Sequence, residues 1–127
     1  MILIADDDTD FAENCSMMLE SHGYAVHVVA DGTEAMKHIL AEQPELLISD
    51  CIMPNMGGLE LSEEIKARPA HCQFPVLLMS GSLKCQVAPG MSYDGFLRKP
   101  FLAENLMLEV RKLLANCANG VPNKGNA

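Results

Sequence analysis

The sequence is poor in positive charge: Lys and Arg number 9 against 17 Asp and Glu, for a formal net charge of −8. That balance repels phosphate backbones rather than releasing counterions from them, which argues against direct nucleic-acid binding. No apolar run approaches the roughly 20 residues that span a bilayer, and the N-terminus lacks the basic start of a secretory signal. The expectation is a soluble, cytoplasmic protein with no membrane association. The cysteines (Cys15, Cys51, Cys72, Cys85 and Cys117) include no CxxC pair, so neither zinc nor a dithiol redox centre is signalled, and reduced thiols are expected. There is no internal repeat, and the only compositional bias is a Gly/Asn/Pro tail. What is present is a chain of 127 residues, 49% hydrophobic, enough for one buried core.

The apolar residues fall into alternating strand and helix patterns. Ile2 to Ala5 is a short, wholly apolar run that stops at Asp6-Asp7-Asp8, the signature of a strand buried on both faces with acids at its carboxyl end. Phe11, Cys15, Met18, Leu19 and His22 then recur at helical spacing, with Asp8 or Thr9 as cap and Gly23 as stop. Tyr24 to Ala30 reads as a second strand, Asp31-Gly32 as a turn, and Ala35, Met36, Ile39 and Leu40 as an amphipathic helix closed by Pro44. Leu46 to Asp50 repeats the first strand's design, an apolar run delivering an acid. A helix over about 59–67, a strand from Pro75 to Ser80, a strand from Phe96 to Pro100 and a last helix striped by Leu102, Leu106, Val110, Leu113 and Leu114 complete the chain. Pro89-Gly90 interrupts 82–92, where a short or irregular fourth helix is expected. The pattern predicts a doubly wound α/β fold, a five-stranded parallel sheet flanked by five helices, over residues 1–116, with 117–127 a flexible tail or linker.

Asp6, Asp7, Asp50, Ser80 and Lys99 all stand at carboxyl ends of apolar strands, the edge where ligands bind in open α/β sheets. Like charges about 4 Å apart repel by roughly 4 kcal/mol at an effective dielectric near 20, so three converging carboxylates call for a cation. Oxygen-only ligands match Mg²⁺, with Asp7 and Asp50 as direct ligand candidates. A carboxylate beside Mg²⁺ and the Lys99 ammonium could attack phosphorus, since the incoming charge would be neutralised.

Ile2 to Asp8, the run Ser49 to Gly58, Met79-Ser80-Gly81 and Lys99-Pro100-Phe101 occur in the order of four motifs of the response regulator receiver domain, which the chain resembles over about residues 1–116. The resemblance implies a flavodoxin-like sheet of order 2-1-3-4-5, for which a regulator of this type is the standing example. It implies Asp50 as acceptor of a phosphoryl group from a histidine kinase or phosphotransfer protein, with Mg²⁺ held by Asp7, Asp50 and the Ile52 carbonyl, and Asp6 assisting through water. By the same resemblance Lys99 pairs with the phosphoryl oxygens, Ser80 and Phe96 form the switch that addresses a downstream output domain or protein, and the Lys99-Pro100 bond is cis. The usual dimer face would include helix four, and a homodimer is left open.

Some positions depart from the family pattern. Ile52 is apolar where many relatives are polar; it and Ser82 would border the path of the hydrolytic water and tune the phosphorylated lifetime. Phe96 lacks a hydroxyl, so its inward state would rest on ring packing. Asp8 reads as a helix cap rather than a ligand. The adjacent His71 and Cys72 read as surface loop, and Met18, Met36 and Met79 as core, with Met53 and Met56 more exposed. Two other functions compete. A haloacid-dehalogenase-type phosphatase would also use Asp6-Asp7-Asp8-Thr9-Asp10, but Pro100 to Ala103 lacks the acidic motif it requires after the lysine. A receiver-like docking module without phosphorylation would have no use for the complete acidic set.

Overall fold

A computed structural model describes residues 1–68, 73–81 and 93–118, with residues 117 and 118 in backbone only. Five strands form one parallel sheet: β1 (Ile2–Ala5), β2 (Val26–Val29), β3 (Leu46–Asp50), β4 (Val76–Ser80) and β5 (Gly95–Arg98), in the order β2-β1-β3-β4-β5. The predicted order is therefore observed. Four helices are described: α1 (Thr9–Ser21), α2 (Gly32–Ala41), α3 (Gly58–Lys66) and α4 (Ala103–Ala118). The fifth predicted helix was placed in 82–92, which lies outside the described residues, as do Ser82, His71 and Cys72.

Two faces follow from strand alternation. Leu3, Ala5, Leu47, Val76 and Leu78 point to the side covered by α2 and α3, where Ala35, Met36, Ile39, Leu61 and Ile65 meet them. Ile2, Ile4, Ile48, Leu77 and Met79 point to the other side, against Ala12, Cys15 and Leu19 of α1 and Leu106, Val110 and Leu113 of α4. Near-continuous apolar strands are what burial on both faces requires.

Local signals account for the boundaries. Asp8 caps α1, its Oδ1 accepting from the Phe11 amide at 3.1 Å, and Gly23 takes a φ of +94°, a left-handed conformation that ends the helix without Cβ strain. Asp31 caps α2 by accepting from the Glu34 amide at 2.8 Å, so Asp31-Gly32 is a helix start rather than a simple turn. Three expectations about packing are corrected. Leu40 is exposed because it lies beyond the edge of the stripe that Ile39 completes, and Leu102 because it precedes the first turn of α4. Met53 is buried, because the loop after β3 folds back on the start of α2, with the Gly32 amide donating to the Met56 carbonyl at 3.1 Å. The Lys99-Pro100 bond is cis, as the resemblance implies.

Candidate functional site

Sheet register builds the site. Ala5 of β1 is level with Ser49 of β3, so the next residues, Asp6 and Asp50, reach the rim side by side. Ser80 of β4 is level with Arg98 of β5, and the Lys99 amide donates to the Ser80 carbonyl at 2.8 Å, which carries the lysine to the same rim. The sheet order places β1 and β3 together at the centre, the switch point where such folds leave a crevice.

Asp6, Asp7 and Asp50 each bring a carboxylate oxygen within 4.8 Å of the other two. Asp6 is buried, Asp50 partly buried and Asp7 exposed, so the group opens to solvent on one side. Asp6 Oδ1 accepts from the Asp8 amide at 2.9 Å, and Asp6 Oδ2 takes the Lys99 ammonium at 2.8 Å. The same ammonium is 3.8 Å from Asp50 Oδ1. Among the described residues, one lysine therefore pairs with two of the three acids. Burial raises the Asp50 carboxyl from 3.8 to about 6; Lys99 draws it down, Asp6 pushes it up, the Cys51 amide lowers it and Asp7 raises it. A carboxylate left in surplus negative charge among oxygen donors fits a hard divalent cation, and this donor set suits Mg²⁺.

The other predicted residues fall around this cluster. Ser80 is buried at the end of β4, and Ile52 is half exposed just beyond Asp50. Phe96 is partly buried on the α2/α3 side of the sheet, with the Arg98 guanidinium 5.6 Å from its ring centroid. Ser80 and Lys99 meet through the backbone bond already described, and Phe96 stands on β5 level with Leu78 of β4. Asp8 is a cap, as expected.

Sequence reasoning missed three supports of the site. Gly58 is needed because a Cβ there would lie 2.3 Å from the Asp50 carbonyl oxygen. Asn55, at φ +68°, donates from Nδ2 to Asp31 Oδ2 at 2.8 Å and ties the loop after the acceptor to α2. Phe11 lies beside the Lys99 ammonium. The glycine and asparagine carried a signal in their residue type; Phe11 carried none beyond helical periodicity. Cys15 lies behind the site, and burial pushes its thiol up to about 11, with Asp6 adding to the rise, so it is an unreactive core residue.

The family model described as response regulator receiver domain matches residues 2–111. A protein called Response regulator MprA from Mycobacterium ulcerans (strain Agy99) is 33% identical over 114 residues, covering 89% of this chain and 49% of that protein. The chain thus spans about half the length of the curated relatives it matches. A solved receiver domain of a signal transduction histidine kinase from Syntrophus aciditrophicus has 31% identity and a TM-score of 0.81, over 91% of this chain and 89% of that one. A CheY-like receiver domain protein from Methanospirillum hungatei JF-1 has 28% identity and a TM-score of 0.82, over 94% and 96%. No helix among the described residues is long and apolar enough to cross a membrane. Matched along nearly its whole length, this chain belongs to the response regulator receiver domains, the signalling modules of two-component systems.

Proposed function

We propose that Asp50 accepts a phosphoryl group from the phosphohistidine of a histidine kinase or phosphotransfer protein, and that this controls an output domain or partner. A carboxylate oxygen of Asp50 forms the new bond to phosphorus as the P–N bond breaks. The leaving imidazole keeps that electron pair and takes up one proton. Asp7, Asp50 and the Ile52 carbonyl would hold Mg²⁺, with Asp6 contributing through water. Mg²⁺ bound there would supply positive charge to offset that of the incoming phosphoryl group. Lys99 balances the arriving phosphoryl charge, for which its ammonium must exchange Asp6 for the new oxygens. Ser80 and Phe96 carry the conformational readout, as a shift between two populated states.

The observation that supports this reading best is the single ammonium 2.8 Å from Asp6 and 3.8 Å from Asp50, set among three carboxylates at strand ends. Residues 1–116 are proposed as the receiver unit and 117–127 as tail or linker. Beyond self-phosphorylation and autodephosphorylation no enzymatic turnover is proposed.

Acetyl phosphate with Mg²⁺ should add one phosphoryl mass to the protein, and beryllofluoride with Mg²⁺ should shift amide resonances around Ser80 and Lys99. Asp50→Asn should abolish both responses. A parent protein unresponsive to either reagent would instead be a docking module that keeps the receiver fold.

A further inference from the structure

Among the described residues the Lys99 ammonium has three close side-chain neighbours, and one is not charged. Besides Asp6 and Asp50, its ammonium lies 4.1 Å from the centroid of the Phe11 ring. That is well inside the roughly 6 Å over which a ring face attracts a cation. Phe11 stands in the first turn of α1, where the Asp8 cap holds its amide. Its ring meets Phe101 edge to face, with centroids 5.7 Å apart and planes at 78°. Phe11 and Phe101 both pack against the α1/α4 side of the core. Two rings therefore join the segment carrying the acid pair to the segment carrying the lysine.

A lysine ammonium on its flexible four-carbon stem samples many positions unless something confines it. The bond to Asp6 confines it, but phosphoryl transfer requires that bond to loosen as oxygens arrive at Asp50. A ring face carries no formal charge, repels carboxylate and phosphoryl oxygens, and attracts the cation over a range of angles. It can therefore hold the ammonium while the anionic partner changes, which an aliphatic side chain of similar bulk cannot.

We propose that Phe11, braced by Phe101, is a positioning residue that holds the Lys99 ammonium at the acidic rim for phosphoryl transfer. This rests on the reading of Asp50 as the acceptor, and Phe11 acts only through Lys99. The test follows the initial rate of Asp50 phosphorylation by acetyl phosphate with Mg²⁺, by intact mass, in the parent, Phe11→Leu and Phe11→Tyr proteins. Phe11→Leu should slow the reaction about 3- to 30-fold, the kinetic equivalent of a lost cation–π contact, and Phe11→Tyr should stay within about twofold. In NMR spectra the Lys99 Cε protons should lie upfield of the other lysines in the parent and Tyr proteins and return to the ordinary position in Phe11→Leu.

An unchanged rate in Phe11→Leu overturns the proposal, even if that variant melts at lower temperature, and so do equal losses in the two variants. Unshifted Lys99 Cε protons in the parent overturn it as well. A parent that gains no phosphoryl mass removes the acceptor reading and the positioning role with it. An upfield Lys99 signal in that case would attribute the failure to Asp50 chemistry, not to the ring contact.

Discussion

At the scale of single residues, Asp50 is held under opposing influences, and the balance has a pH signature. Its carboxyl is raised from 3.8 to about 6 in the fold, chiefly by burial. Between those values the folded protein keeps a proton that the unfolded chain has released, so without divalent cations stability falls as pH rises from about 4 to 6 and stays lower above. Asp50→Asn should flatten that slope and stabilise the cation-free protein at pH 7 by about 1–3 kcal/mol. Urea titrations across pH in a chelator would read it, and a parent profile that is flat or rises over this window would refute the account. Ile52 supports a second prediction at this scale. Half exposed beside the acceptor, it offers no hydrogen bond to a water approaching the acyl phosphate. Ile52→Asn should shorten the phosphorylated lifetime by roughly 2- to 10-fold, the scale of one added hydrogen bond. Decay of the phosphorylated mass after donor removal measures this, and a longer lifetime in the variant counts against it.

At the scale of elements, the loop between β3 and α3 is closely constrained on several sides. A Cβ at Gly57 would lie 2.5 Å from the Cys51 carbonyl oxygen, and one at Gly58 would lie 2.3 Å from that of Asp50. The Glu60 carboxylate accepts from the Gly57 amide at 3.4 Å, and the Asp31–Asn55 bond ties the loop to the cap of α2. The Asp31 carboxyl is lowered first by the Glu34 amide it caps and then by Asn55, so one side chain serves both helix and loop. Gly58→Ala should cost about 1–3 kcal/mol in denaturant melts, because backbone rather than a flexible side chain must yield. A variant as stable as the parent would mean that the loop moves aside freely.

At the scale of the whole molecule, stability should be graded from the centre of the sheet outward. β1, β3 and β4 each pair on both sides, whereas β2 and β5 are edges of this sheet. Native-state hydrogen exchange should be slowest at Leu3, Ile48 and Leu77, and at least about tenfold faster at Val28 in β2. Uniform protection across all five strands would show that opening is global and would defeat the prediction. The same layering positions the acids of the rim, since Asp50 ends β3 and Asp6 follows β1, two inner strands with apolar packing on both faces.

Much of this was legible in the chain. Short apolar runs ending in Asp6, Asp50 and Ser80 identify buried strands and name the residues at their ends, because side-chain period and burial are local properties. The strand order came from the motifs and was not deducible from periodicity. The burial of Met53, the exposure of Leu40 and Leu102, and the doubled use of Asp31 were not legible. Each depends on how a loop or helix end settles against a distant element. Local sequence determined which groups would stand at strand ends and that their charges would need balancing. Only the tertiary structure decided that Asp6 takes the lysine at 2.8 Å, and that Phe11 from α1 meets a cation delivered by β5. Contacts between residues so far apart in the chain are set by sheet register and crossover packing, which no local pattern encodes.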